Sequence, residues 1–313
     1  MNNSKICPIT YEPITSDEWY SHKGLKKISR SISHLEVFPY SAEQQRKEAL
    51  QRADKISIQG IQPKLSAKFD AKIGTFKICD LGGTYIIKPQ SPLYEELPEN
   101  EDLSMRLARC LDIEVPFHGL LYCADKSFSY FIKRFDRIGK GKKLALEDFA
   151  QLSHLKRDSK YDFSMEKIIN VIDRYCTFPV IEKKKLFALT IFNFLIGNED
   201  MHLKNLSLIA NDNKIMLSPC YDLINTTLAL QKAKEEIALS LNGKKRNLNY
   251  KDLVQYYGHE RLKLSDIVIE KVLAKIKTSI PEWKRLIGIS FLSNENKTQY
   301  LELLGKRAKV LNL

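Results

Sequence analysis

No two cysteines in this chain form a Cys-x-x-Cys pair; the six, at 7, 79, 110, 123, 176 and 220, are scattered over 313 residues. That spacing argues against both a zinc knuckle and a disulfide framework. Cys7-Pro8-Ile9-Thr10 has a knuckle's outline with one sulfur and reads as a turn. No apolar run approaches the roughly 20 residues that span a bilayer. The opening Met1-Asn2-Asn3-Ser4-Lys5 lacks the apolar segment of a secretory signal. A cytoplasmic protein is the default expectation, with delivery into another cell left open. Long glycine/serine or charge tracts and internal repeats are also missing, and 43% of the residues are apolar, enough for an ordinary globular core. Neither G-x-G-x-x-G nor the Walker phosphate loop occurs.

What the chain has in excess is positive charge, +12 net, with local runs at Lys183-Lys184-Lys185 and Lys244-Lys245-Arg246. Such a balance favours acidic partners, nucleic acid included. Solvated helix faces and loops would give the same runs.

The texture changes along the chain. Residues 1–50 are mixed, with a short polar helix expected over 41–53. From Lys55 to Pro89 the reading is strand-like: Ile56-Ser57-Ile58, a polar turn at Gln59-Gly60-Ile61-Gln62-Pro63-Lys64, a strand over Leu65–Phe69, then Gly82-Gly83 before the run Thr84–Lys88. Asn100 is placed as the cap of a helix whose Leu103, Leu107 and Leu111 recur every four residues. A hairpin follows around Ala124-Asp125-Lys126. Beyond Leu146 helices dominate, interrupted by a hairpin turning at Asn211-Asp212-Asn213-Lys214. The order predicts an α+β, two-lobed, protein-kinase-like fold: a β-rich N-terminal lobe over residues 1–136, a hinge near 133–137, and a helical C-terminal lobe over 137–313.

The most informative segment is Gly197-Asn198-Glu199-Asp200-Met201-His202-Leu203-Lys204-Asn205, a polar loop between a buried helix and a hairpin. Asp200 and Asn205 have the spacing at which a kinase catalytic loop presents its base and its metal-binding amide. Just beyond the hairpin, Asp222 stands where the second magnesium ligand belongs. Phosphoryl transfer needs the γ-phosphate aligned with a hydroxyl and its charge screened. Mg²⁺ takes hard oxygen donors, one or two carboxylates together with phosphate oxygens. Asp200 therefore reads as the proton acceptor, and Asn205 and Asp222 as metal ligands. Alone, Asp-x₄-Asn is a common accident of polar turns; the helix before it, the hairpin after it and Asp222 beyond turn the balance. Lys88, ending an apolar strand, fits the lysine that holds the α- and β-phosphates, with Glu101 on the next helix as its candidate partner. Each alone would read otherwise, Lys88 as a strand-end lysine and Glu101 as first-turn charge.

Four segments together resemble the HipA-like kinases, toxins of bacterial toxin–antitoxin systems. They are Ser57–Lys64, Phe131-Ile132-Lys133-Arg134-Phe135-Asp136-Arg137, Asn198–Asn205 and Tyr221-Asp222-Leu223, in the family's order from about residue 50 onward. The resemblance implies a two-lobed kinase fold, ATP with Mg²⁺, and a protein substrate, with aminoacyl-tRNA synthetases as the family's known targets. It places Gln59, Gly60, Ile61, Gln62, Pro63, Lys64 and Lys88 on the phosphates, and the backbone of Lys133, Arg134 and Phe135 on adenine. His202, Leu203, Lys204 and Asn205, with Tyr221, Asp222, Leu223 and Ile224, would line the nucleotide, and Gln151 would lie near it. It also implies autophosphorylation of the glycine-loop serine, here Ser57. About fifty residues precede that loop, which makes the chain resemble the short HipT type, whose missing subdomain is a separate HipS protein beside a HipB-like DNA-binding antitoxin. Some HipT loops carry two serines; this one carries a single serine, since Gln59 follows Ser57-Ile58. Nucleic acid would be met only through the antitoxin. Two other classes stand beside this reading: a small-molecule phosphotransferase, for which no acidic pocket stands out, and a non-catalytic ATP-binding or DNA-associated regulator, against which Lys88, Asp200, Asn205 and Asp222 speak together.

Overall fold

The computed structural model describes residues 5–15, 17–52, 62–139, 142–155, 161, 163–230 and 235–313. Ser57, Gln59, Gly60 and Ile61 lie outside the described residues. The chain divides into two compact units, Met1–Asp102 with Pro116–Gly141 and Ile289–Leu292, and Leu103–Val115 with Lys142–Gly288 and Ser293–Leu313.

The first unit contains β1 (Lys5–Ile6), β2 (Pro13–Ile14), α1 (His22–Ile28), α2 (Ala42–Gln51), β3 (Leu65–Asp70), β4 (Thr75–Ile78), β5 (Tyr85–Lys88), the start of α3 (Leu97–Cys110), β6 (His118–Tyr122), β7 (Phe128–Lys133) and β8 (Arg137–Ile138). Five of these strands form an antiparallel sheet in the order β4-β3-β5-β7-β6. Gly82 turns the chain into β5 at φ +68, a conformation that suits a residue without Cβ. The register pairs Ile87 with Phe131 and Lys88 with Tyr130. Leu65, Ala67, Phe76, Tyr85, Ile87 and Phe131 form the buried face of the sheet, and Cys7, Ile9, Leu25, Ile28, Ile32 and Phe38 close over it. The mixed first fifty residues thus complete this unit's core. The polar helix expected over 41–53 is α2, opened by a capping box in which the Ser41 hydroxyl and the Gln44 side chain satisfy each other's backbone.

One expectation is corrected here. Asn100 does not cap α3; the helix begins a turn earlier, at Leu97, and Asn100 lies buried inside it. The Leu97 N–H is taken by the side-chain oxygen of Gln90 at 3.1 Å. Pro98 in the first turn has a φ preset for helix and no N–H to satisfy, so the start needs no cap at position 100.

The second unit carries the rest of α3, then β9 (Lys142–Lys143), β10 (Ala145–Asp148), α4 (Phe149–Leu152), α5 (Met165–Tyr175) and α6 (Pro179–Ile196). A 3₁₀ turn (Leu203–Asn205) leads to β11 (Ser207–Asn211), β12 (Lys214–Leu217) and α7 (Thr226–Leu230). A π-helical segment (Lys251–Arg261), α8 (Asp266–Ile289) and α9 (Asn294–Val310) complete it. Leu186, Phe187, Ile191, Phe192, Phe194, Leu195 and Ile196 on α6 are all buried, with Trp283 of α8 edge-on to Phe192 and Tyr300 of α9 also buried. A helix apolar nearly all round belongs in a core. The hairpin expected over 206–218 is present, turned by Asp212 and Asn213 at φ +48 and +60, the two-residue geometry that short polar side chains tolerate. The sequence reading missed its third strand: β10 pairs with β11, Asp148 opposite Ser207. Among the described residues no helix is long and apolar enough to cross a membrane.

Candidate active site

In the first unit, Lys88 at the end of β5 is almost fully buried, and its ammonium lies 2.6 and 2.9 Å from the two carboxylate oxygens of Glu101. The partner looked for on the next helix is therefore in place, in the second turn of α3. Tyr130, opposite Lys88 on β7, puts its ring 5.6 Å from the ammonium. Around this pair stand two more buried acids. Asp102 hydrogen-bonds His118 Nδ1 at 2.9 Å. Glu99 is pushed up to about 7, because burial disfavours its charge and Glu96 and Asp102 repel it. Gln90 reaches its carboxylate at 3.4 Å.

The segment expected to meet adenine is well fixed but uses much of its own hydrogen-bonding capacity. The Lys133 N–H donates to the Phe117 carbonyl at 2.7 Å and the Arg134 N–H to Thr84 at 2.8 Å. Those two amides are thus engaged within the first unit. Arg134 grips Asp136 through two bonds of 2.9 and 2.7 Å. Burial alone would raise the Asp136 pKa; Arg134 and Arg137 outweigh it and hold the carboxyl below its usual value.

In the second unit, α6 ends at Gly197, φ +76, where an added Cβ would meet Leu303 at 2.6 Å and Thr227 at 2.7 Å. Only glycine fits that turn, and it releases the chain into the polar loop. The loop is held from beneath by two asparagines. Asn193, buried on α6, accepts from the Asn198 side-chain amide at 2.8 Å, and Asn198 in turn accepts from the Asp200 N–H at 3.0 Å. Thr226 accepts from the Glu199 N–H and donates to the Gly197 carbonyl. Glu199 is itself a support, bonding Thr227 and the Glu235 N–H, with its pKa raised by burial.

On this platform the Asp200 carboxylate is about half exposed. The Tyr161 hydroxyl donates to it, and His202 Nε2 lies 3.7 Å away; burial and the neighbouring carboxylate both raise the Tyr161 pKa. Asn205 donates its side-chain amide to the Asp200 carbonyl at 2.8 Å. Its other side-chain atom, the oxygen, forms no hydrogen bond among the described residues. His202 caps the 3₁₀ turn by accepting from the Lys204 N–H, and Leu203 is buried beneath it.

The segment after β12 is anchored by Tyr221, whose hydroxyl contacts the Ser207 hydroxyl at 2.5 Å and donates to the Lys204 carbonyl at 3.0 Å. Burial raises this phenol's pKa. The next residue, Asp222, has φ +54, an uncommon backbone state of the kind that concentrates at functional sites. Leu223 is buried and Ile224 partly so. One clamp therefore ties Asn205's turn, β11 and the segment that carries Asp222 together.

Gln151 has a structural duty: its side chain accepts from the Asp148 N–H at 2.9 Å while Asp148 caps α4. Gln62, Pro63 and Lys64 lie partly buried before β3. Asn193, Thr226 and Tyr161 were given no role from the sequence, and Asn198 was read only as the start of the polar loop. Only Asn193 carried a signal, a lone amide among the apolar residues of a core helix.

The comparisons with known proteins fit this geometry. Residues 56–283 match the HipA-like C-terminal domain. A Haemophilus influenzae chain with a provisional kinase name is 26% identical over 340 aligned positions, covering 98% of each chain. The serine/threonine-protein kinase toxin HipA of Shewanella oneidensis is 25% identical over 208 residues, 60% of this chain and 47% of that protein, so the chain spans about half its length. The solved S. oneidensis HipA, in complex with HipB and operator DNA, superposes with a TM-score of 0.68 at 21% identity, over 90% of this chain and 74% of that one. The Helicobacter pylori proinflammatory kinase CtkA superposes at 0.57 with 16% identity, over 82% and 91%. The fold is thus the α+β fold of the HipA and CtkA kinases, and the chain belongs to the HipA-like C-terminal domain family.

Proposed function

We propose that this chain is an ATP- and Mg²⁺-dependent protein serine/threonine kinase acting as a toxin. The observation that carries the reading is the orientation of Asn205. Its amide is held by the Asp200 carbonyl, which leaves the side-chain oxygen to a cation. Asp222 is the second donor. Among the described residues no group of three His, Cys, Asp or Glu side chains could hold a metal by itself. The pair suits Mg²⁺, which commonly keeps waters and phosphate oxygens in its shell. When bound, that ion screens the phosphates during transfer.

In this reading Asp200 accepts the proton of the substrate hydroxyl and orients it. Lys88, fixed by Glu101, contacts the α- and β-phosphates. Gln59 to Lys64 form the phosphate loop, and the segment from Lys133 to Phe135 meets adenine. The substrate is a translation component such as an aminoacyl-tRNA synthetase, and Ser57 is an autophosphorylation site. The finer subtype is the short HipT toxin with HipS-like and HipB-like partners. Support comes from the order of the motifs from about residue 50 onward, while the single serine of the loop departs from the two-serine loops that some HipT toxins carry.

Incubation with ATP labelled at the γ-phosphate, with Mg²⁺ and a bacterial lysate, tests the activity. Label on protein is expected, and its disappearance with Asp200→Ala while ATP still binds. Loss of one positioned base costs roughly 10²–10⁴-fold in rate. Label confined to small molecules, or undiminished transfer by Asp200→Ala, would contradict the assignment.

A further inference from the structure

Behind the catalytic loop, wholly within the second unit, lies a cavity of about 480 Å³. Leu111 and Ile113 after α3, Ala188 and Leu189 on α6, and Val272 and Ile276 on α8 wall it. Its other side is the backbone that carries the proposed chemistry, from Asn205 to Ser207 and from Ser218 to Cys220. The partly buried Cys220 thiol is pushed up to about 12 by desolvation and so remains a neutral wall. A concave, mainly apolar space of this size falls in the range of small-molecule sites.

Charge sets what the space would accept. Four lysines line it, Lys184 and Lys185 on α6 and Lys271 and Lys275 on α8, against two carboxylates, Asp112 and Glu114. Lys275 is paired with Asp112 at 2.9 Å, and Lys185 with Glu182 at 2.9 Å. Lys184 and Lys271 make no ion pair or hydrogen bond among the described residues, and neither does the Glu114 carboxylate. Two ammonium groups outside any ion pair, against the single unpaired carboxylate of Glu114, therefore border an apolar cavity and leave its rim net positive. A neutral apolar ligand would leave them unused, and a small inorganic anion would leave the cavity unfilled.

We propose that this cavity binds a small amphipathic anion: one carboxylate on a hydrocarbon body, with the head held by Lys184 and Lys271 and the body against Leu189, Val272 and Ile276. The site belongs to the fold and stands independently of the kinase reading.

The probe is decanoate, titrated calorimetrically into the intact chain with no nucleotide present, so failure of the kinase assay cannot masquerade as failure of binding. One saturable site is expected, with decanol bound at least about tenfold more weakly, since the charged head contributes a charge-assisted hydrogen bond. Ala188→Trp should fill the cavity and abolish binding. The double variant Lys184→Glu, Lys271→Glu changes only exposed side chains and should weaken decanoate at least about tenfold while leaving the decanol signal in place. Equal binding of decanol and decanoate, many weak sites, or decanoate binding unchanged in the double lysine variant would overturn the proposal. The last result does so even where Ala188→Trp fails to fold.

Discussion

The side-chain amide of Asn205 donates to the main-chain carbonyl of Asp200 at 2.8 Å. The two polar ends of one short loop are thereby locked together, the proposed base at one end and the proposed metal donor at the other. Because that bond engages the amide nitrogen, the loop's own geometry decides which atom of Asn205 would be left to the proposed cation. Tyr221 adds a second lock by binding the Lys204 carbonyl at 3.0 Å, immediately before Asp222.

Asp222→Asn should weaken binding of MgATP far more than binding of ATP in chelator. Asparagine tolerates the positive φ found here, so the variant removes a formal charge without disturbing the backbone. Nucleotide titrations with and without Mg²⁺ are the check; equal losses in both would remove Asp222 from the metal shell.

Lys88→Met should destabilise the first unit by about 3–5 kcal/mol, since it leaves the Glu101 carboxylate buried without its cation. Adding Glu101→Gln should restore part of that loss, although neither form is expected to transfer phosphate. Denaturant unfolding of both single variants and the double variant measures the coupling. Strict additivity of the two substitutions would show that the pair does not act as a unit.

Glu99 gives a pH dependence whose sign follows from its raised pKa, from the usual 4.5 to about 7. Between those values the folded chain holds a proton that the unfolded chain has released. Its contribution therefore falls as pH rises through that window and levels off above about 7. The stability difference between wild type and Glu99→Gln should shift in the variant's favour from pH 4.5 to pH 8. Unfolding midpoints that move in parallel for the two proteins would show that Glu99 is not the titrating group.

Ser57 should carry phosphate in protein made with active enzyme and none in protein made with Asp200→Ala. It precedes Gly60 in the expected phosphate loop, with Lys55 and Lys64 nearby in sequence. A phosphate adds about 1.5 to 2 negative charges, which either repels the ATP phosphates or draws the loop towards basic side chains. Mass spectrometry and ATP titration of the modified form test this. An active kinase with unmodified Ser57, or unchanged ATP affinity after modification, would rule it out.

Local pattern carried much of the chemistry in the sequence. The Asp200-to-Asn205 spacing, Asp222 beyond a hairpin and Lys88 ending a β-branched strand are each set by residues close in the chain, where turn chemistry and strand alternation act. The hairpin turning at Asp212 and Asn213 was legible for the same reason. Pairings over longer separations were not. Alternation cannot tell that Ala145 to Asp148 joins β11 sixty residues on, because a strand's partner depends on which open edge the rest of the chain leaves. The start of α3 was misplaced because the Gln90 side chain, seven residues before Leu97, folds back to take the Leu97 N–H, a contact that no capping pattern at position 100 announces. The Asn193–Asn198–Asp200 relay and the Tyr161 contact exist only once α6 is buried and the loop is laid over it. The sequence by itself determined which residue types could do phosphoryl-transfer chemistry and in what order they come. Tertiary structure decided which atoms face outward, because burial forces polar groups such as the Asn193 and Asn198 side chains to find partners within the protein.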